Sequence, residues 1–269
     1  MAALDVVTTW PVQTAAVRVV GRDGVLASTG PDVPLRWASV TKLVTALTAL
    51  AAIRRGEVKL DEPAGPPGST VRHLLAHASG LAPDADTVLS APGRRRIYSN
   101  RGFEVLAALV SDRAGGPFDQ LLTGTVLRPL GMESTRLDGS PAHAASGPVG
   151  DVAVLGRELL APTLLPDLMA EATTPVFPGL AGVLPGFGRQ DPNDWGLGFE
   201  IKDGKSPHWT GSRNSPGTFG HFGQAGGFLW VDQSAGIACA CLTDRDFGPW
   251  AAEVWPVLAD RVLDDFGTS

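Results

Sequence analysis

The stretch Trp37-Ala-Ser-Val-Thr-Lys-Leu-Val-Thr-Ala-Leu-Thr-Ala-Leu50 decides how this chain is read. Val40, Leu43, Val44, Leu47, Leu50 and Ala51 recur at helical spacing, so a long apolar helix is expected from Ser39 to near Gly56. Ser39 and Lys42 stand three residues apart and share a face at its start. A serine hydroxyl is a weak nucleophile until a neighbouring base takes its proton. A lysine one turn away is such a base if burial or other cations lower its pKa. Free backbone N–H groups and the helix dipole favour negative charge at the same place. Taken alone, the pattern is a helix cap followed by a solvated lysine, so the rest of the chain has to decide.

Before that stretch, Ala15–Val20 and Val25–Ser28 flank Gly21-Arg-Asp-Gly24 and read as a hairpin. After it, residues 61–69 are a Pro/Gly-rich connector, and Ser69 or Thr70 is expected to cap a short helix, Val71–His77. Tyr98-Ser-Asn100 opens a helix with Phe103, Leu106, Ala107 and Val110 on one face; Gly115-Gly116 ends it, and Pro117 suits the next first turn. Helical runs follow near 151–161 and 163–172, and 175–194 reads as loop. Strand signals then dominate: Trp195–Ile201, Gly227–Val231 and Gly236–Leu242, the last two joined by a turn at Gln233–Gly236. The closing helix, Trp250 to Phe266, is expected to turn Val254, Val257, Leu258 and Val262 inward. Strands at both ends and helices between them predict an α/β (α+β) fold. An antiparallel sheet is built from both termini and flanked by helices, with a helical insertion. The expected division is a discontinuous sheet domain, 1–60 and 191–269, and a helical domain, 61–190.

The chain has 269 residues, 43% hydrophobic and 19% charged, which suffices for a proper core in one large domain or two small ones. A net charge of −6 argues against nucleic acid and anionic membrane surfaces as main partners. No apolar run is long enough for a membrane span. The first ten residues lack the pattern of a signal peptide, so a cytoplasmic location is expected. Cys239 and Cys241 share a strand face; a C-x-C disulfide is geometrically poor, and both read as buried free thiols. His73 and His77 have a spacing that zinc ligands use, but no glutamate follows His73 and no metal site is expected.

Two further segments carry chemistry. Tyr98 is the only tyrosine; near a cation its pKa falls and it can act as base or proton shuttle, while Asn100 can orient Lys42 or a substrate carbonyl. The run Phe219-Gly-His-Phe-Gly-Gln-Ala-Gly-Gly-Phe228 places glycine turns before a strand, where backbone N–H groups can face an oxyanion.

Ser39-Val-Thr-Lys42, Tyr98-Ser-Asn100 and His221-Phe-Gly223 stand in the order of the S-x-x-K, Y-x-N and K/H-x-G boxes of the penicillin-recognising serine hydrolases. Thr70–Leu81 and Arg128–Thr135 also look like that family. The chain resembles its class C β-lactamase, DD-peptidase and β-lactamase-like esterase branch from about residue 15 to the end. The resemblance implies a β-lactamase/transpeptidase-like fold and an acyl-enzyme on Ser39, with Lys42 and Tyr98 sharing base and acid duties. It implies an oxyanion hole from the N–H groups of Ser39 and Gln224, and a substrate site lined by Asn100, His221 and Gly223. It implies a small-molecule ester or amide substrate and no cofactor. Phe222 stands where class C enzymes carry a hydroxyl that helps to hold a substrate carboxylate. Esterase activity is therefore expected first, β-lactamase or D-Ala-D-Ala carboxypeptidase activity second. A non-catalytic penicillin-binding-like protein is the alternative outside the enzymes.

Overall fold

Residues 2–267 are described by the structure, a computed structural model. A 3-10 helix, Ala3–Thr9, leads to the hairpin of β1 (Ala15–Gly21) and β2 (Gly24–Thr29), then to the short β3 (Leu35–Arg36). A 3-10 turn, Ala38–Val40, feeds α1 (Thr41–Arg54). The middle supplies α2 (Val71–Leu75), α3 (Asn100–Ala114), α4 (Phe118–Leu122), a π-helical turn Thr123–Leu127 and α5 (Arg128–Leu130). It continues with β4 (Arg136–Leu137), β5 (Ala145–Gly147), α6 (Val149–Leu160) and α7 (Pro166–Ala172). The last part holds β6 (Gly182–Leu184), β7 (Gly188–Gln190), β8 (Glu200–Ile201), β9 (Phe219–Gly223), β10 (Gly227–Asp232), β11 (Ile237–Thr243) and α8 (Pro249–Phe266).

Six strands form one antiparallel sheet in the order β2-β1-β11-β10-β9-β8. Ala15 stands opposite Thr243 and Gly21 opposite Ile237, so the two ends of the chain meet within one sheet. Side chains alternate between its faces. Ala16, Val20, Leu229, Val231, Ala238, Ala240 and Leu242 join the core that includes α1, α3 and α6. Val17, Val19, Phe228, Trp230, Ile237, Cys239 and Cys241 join a second core under α8 and the first 3-10 helix. Burial on both faces explains why β10 and β11 read as continuous apolar runs. Both cysteines are buried free thiols.

Helix α1 is buried nearly all round from Thr41 to Leu50, not on one stripe. Its hydroxyls are therefore all engaged: Thr41 accepts from the Ala145 N–H (3.0 Å), Thr45 donates to Pro141 O (2.6 Å) and Thr48 to Val44 O (2.8 Å). The first two tie the helix to β5 and the segment before it.

Several expected details differ. Thr70 does not cap α2 with its side chain; its Oγ1 meets His73 Nδ1 at 2.8 Å, and the helix stops at Leu75. The segment 175–194 contains the β6–β7 hairpin despite its glycines and prolines. Only Glu200–Ile201 of the expected strand 195–201 joins the main sheet. In α8, Val257 is 47% exposed, and Trp255, Leu258, Ala259 and Val262 form the inner face. The larger Trp255 side chain takes the core position, Val262 stays inward as expected, and Val257 turns outward. Among the described residues, no helix is long and apolar enough to cross a membrane.

Candidate active site

Ser39 sits on the 3-10 turn that precedes α1, not within the α-helix. Its neighbour Ala38 has φ +45°, a conformation that costs a non-glycine residue on the order of 1–3 kcal/mol. Such strain, stored beside a serine at a helix mouth, aims the hydroxyl outward from the packed helix behind it.

Lys42 is fully buried on the first turn of α1. Its Nζ donates to Asn100 Oδ1 (2.6 Å) and Ala142 O (3.0 Å) and lies 3.4 Å from Ser39 Oγ. Burial holds its pKa well below the ordinary lysine value, although Asp84 and Glu104 oppose this. A neutral amine has two N–H donors and one lone pair. When the amine is neutral, Asn100 and Ala142 take its two donors and its lone pair is left for Ser39.

Tyr98 precedes α3, and its O–H donates to Ser39 Oγ at 2.7 Å. Ser99, not Asn100, caps this helix: its Oγ accepts from Gly102 N–H (2.9 Å) and donates to Ala82 O (2.7 Å). Asn100 is thereby free to bridge Lys42 and Asp84, donating through Nδ2 to Asp84 Oδ1 (2.7 Å). The pKa of Tyr98 moves opposite to the expectation. Burial pushes it up, the bond to Ser39 only partly offsets this, and Asp84 adds to the rise. Tyr98 therefore rests as a phenol.

His221 lies on β9, buried, with Nδ1 2.6 Å from Phe222 O and Nε2 3.5 Å from Tyr98 Oη. The carbonyl requires Nδ1 to be the donor, so Nε2 is a bare acceptor. Burial, then the charge of Lys42, pushes its pKa down to about 3. His221 is thus a neutral ring at physiological pH.

Gly223 closes the arrangement from the other side. A Cβ there would stand 2.3 Å from Trp37 O and 3.2 Å from Ser39 N. Only glycine permits this approach. The Gly223 carbonyl accepts from Gly226 N–H (3.0 Å), so the Gln224 N–H of the same trans peptide points the opposite way, out of the hairpin. The N–H groups of Ser39 and Gln224 therefore belong to two backbone segments in van der Waals contact. Phe222, on the opposite face of β9 from His221, packs against Phe187 and Phe247 at 5.8 and 5.0 Å between ring centres. Its ring is nine-tenths buried, and what remains exposed forms part of the wall of the cavity beside Ser39.

The sequence reading passed over one residue here. The rings of His73 and His77 part company: His73 stacks on Phe177 (4.3 Å), whereas His77 turns inward with φ +52°. His77 O accepts from Ile97 N–H (2.9 Å) and its Nδ1 accepts from Ser99 N–H (3.1 Å), so one residue holds both neighbours of Tyr98. Its ring also lies 4.6 Å from the Tyr98 ring and edge-on to Trp195. Burial, with the nearby positive charges, pushes its pKa well below the ordinary value. The signal available in the sequence was a histidine ahead of Ala-Ser-Gly, a turn that forces an unusual backbone.

The family described as Beta-lactamase matches residues 6–263. A β-lactamase from Mycobacterium bovis, solved as a crystal structure, is 54% identical with a TM-score of 0.98, and the match covers 99% of this chain and 100% of that one. EstCE1, a hydrolase with promiscuous acyltransferase activity, shares the fold at TM-score 0.80 and 18% identity over 97% of this chain and 96% of its own. Among curated proteins, the D-alanyl-D-alanine-carboxypeptidase/endopeptidase AmpH of Escherichia coli K12 is 29% identical over 147 residues, 41% of this chain and 38% of AmpH. The chain thus aligns with well under half the length of that relative. With a family match over nearly its whole length, this chain belongs to the β-lactamase family of serine hydrolases.

Proposed function

We propose that the protein is an esterase that works through an acyl-enzyme on Ser39. The observation that carries the choice of ester is the third box. A substrate carboxylate needs a cation and a hydroxyl there; this chain offers the neutral acceptor Nε2 of His221, and Phe222 turns into the aromatic core. A neutral ester makes no such demand.

In this reading Ser39 Oγ attacks the carbonyl carbon and passes its proton to the neutral amine of Lys42. The N–H groups of Ser39 and Gln224 hold the oxygen as it gains charge. The C–O bond to the alcohol then breaks, and the departing oxygen takes the phenolic proton of Tyr98. The Lys42 ammonium, which shares Ser39 Oγ with Tyr98, returns its proton to the phenolate. Water then repeats the cycle on the acyl-enzyme. Asn100 orients Lys42, and His221 faces the Tyr98 hydroxyl.

The test pairs a short-chain aryl ester with a chromogenic cephalosporin, and labels the protein with a fluorophosphonate before peptide mapping. Ester turnover with label on Ser39 is expected. Cephalosporin turnover without ester turnover would reverse the order of the two activities, and label on any other serine sinks the Ser39 assignment. The second reading, a β-lactamase, is favoured by the 54% identity to the Mycobacterium bovis protein of that name.

His77 is proposed as a positioning residue for Tyr98. His77→Leu removes the acceptor for Ser99 N–H and is expected to lower kcat about tenfold with little change in KM, since misplacing a reacting group by a fraction of an ångström is costly. His77→Asn tolerates positive φ and retains an acceptor, and is expected to recover most of kcat. Equal kcat in both variants, with matched thermal melts, would remove His77 from this role.

A further inference from the structure

A neutral amine on Lys42 faces three partners and has one lone pair to give. Ala142 O, 3.0 Å from Nζ, can only accept. Ser39 Oγ and the Asn100 amide, at 3.4 and 2.6 Å, can each donate or accept. If Asn100 presented its NH2 to Lys42, the lone pair would go there. Lys42 would then donate to Ser39 instead of receiving its proton. The orientation of one amide therefore decides whether Ser39 has a base. Helix α3 does not make that choice, because Ser99 supplies its cap and leaves the Asn100 side chain unused.

Asp84 makes it. Its Oδ1 lies 2.7 Å from Asn100 Nδ2. An ionised carboxylate only accepts, so it holds the NH2 end outward and keeps the carbonyl end on Lys42. The loop that carries Asp84 is built onto the start of α3. A bridge between Leu81 and Val88 closes it. Ser99 Oγ donates to Ala82 O (2.7 Å), Arg101 N–H donates to Pro83 O (3.0 Å), and the Arg101 guanidinium pairs with Asp86 (2.6 Å). Residues on both sides of Asp84 are thus pinned, while Asp84 itself is exposed on the wall of the cavity beside Ser39.

We propose that Asp84 is a positioning residue for the acylation step: its carboxylate fixes the Asn100 amide so that the Lys42 lone pair stays free for Ser39. This rests on the base role given above to Lys42. The same carboxylate also acts on Lys42 by its charge. Burial lowers the Lys42 pKa, and Asp84, then Glu104, oppose it. Glu104 shares its charge with Arg101 at 3.3 Å. The other titratable groups facing Lys42 add no charge near neutral pH: burial keeps His77 and His221 unprotonated and Tyr98 a phenol. Without the Asp84 charge, Lys42 loses its proton at lower pH.

The test is the rate at which a fluorophosphonate labels Ser39 as a function of pH, which does not depend on the substrate. In labelling, the Oγ–phosphorus bond forms, fluoride leaves with its bonding electron pair, and the serine proton passes to Lys42. Asp84→Ala removes acceptor and charge; Asp84→Asn keeps a carbonyl acceptor and removes the charge. The plateau rate is expected to fall about tenfold in Asp84→Ala and no more than about threefold in Asp84→Asn, the scale of a mildly misplaced reacting group. In both, the acid limb moves to lower pH. On that limb each rate, as a fraction of its own plateau, is expected to be about threefold above native, the scale of one charge removed near a protein surface. A native plateau in Asp84→Ala overturns the proposal. So does an equal loss in both variants with the acid limb unmoved, the mark of a displaced loop. Native labelling in Lys42→Met, by contrast, removes the base role itself and this inference with it.

Discussion

Lys42→Met is expected to lower ester turnover on the order of 10³-fold, the scale of a lost general base, while the protein still folds. Methionine matches the length of the lysine stem and suits a site with no solvent exposure. What disappears is the lone pair aimed at Ser39. The same substitution should erase the acid limb of the pH–rate profile. The native amine works only when neutral, so activity rises with pH through the lowered Lys42 pKa and is lost as pH falls below it. Stability reports the same group independently. In the unfolded chain Lys42 is protonated up to the ordinary lysine range, whereas burial in the folded protein makes it lose its proton at a lower pH. Between those two values the unfolded state binds the extra proton, and native stability rises with pH. Methionine removes that slope. The melting temperature of the variant relative to the native protein should therefore climb as pH is lowered from 10 to 7. A pH-independent difference would show that Lys42 is charged in the folded state, and would transfer the base role to another group.

Gly223→Ala is expected to cost on the order of 10²- to 10³-fold in kcat, the scale of a lost oxyanion donor. The added methyl meets Trp37 O at 2.3 Å, far inside contact distance, and both partners are backbone. One segment has to withdraw, and either movement separates the N–H groups of Ser39 and Gln224. The acylation rate should fall while Lys42 and Tyr98 stay in place, so the acid limb of the pH profile persists. Activity within tenfold of native, with unchanged melting, would remove these two N–H groups from the proposed chemistry.

The three boxes were legible because each is short and local. Ser39-x-x-Lys42 shares one turn, Tyr98 and Asn100 straddle a helix cap, and His221 and Gly223 share a strand face. The faces of α3 and of the paired cysteines were legible for the same reason. Residues whose meaning depends on distant neighbours were not. His77 looked like half of a spacing pattern because its partners, Ile97 and Ser99, lie a long loop away. Phe222 read only as a missing hydroxyl, and its packing against Trp255 of α8 follows from the pairing of β9. The expected drop in the Tyr98 pKa is overridden by the burial of its own hydroxyl, a property of the folded core. The β6–β7 hairpin hid behind glycines and prolines that serve its turns.

The pairing of β1 with β11 has a consequence for synthesis on the ribosome. A chain emerging N-terminus first presents Ala15–Gly21 and the apolar helix α1 well before β11, the strand that completes their cover. Contacts this distant in sequence form slowly, and apolar segments waiting for them are open to aggregation. Ser39 meets Gly223 only once β9 has emerged, so a ribosome-bound fragment ending before β9 cannot be an active hydrolase.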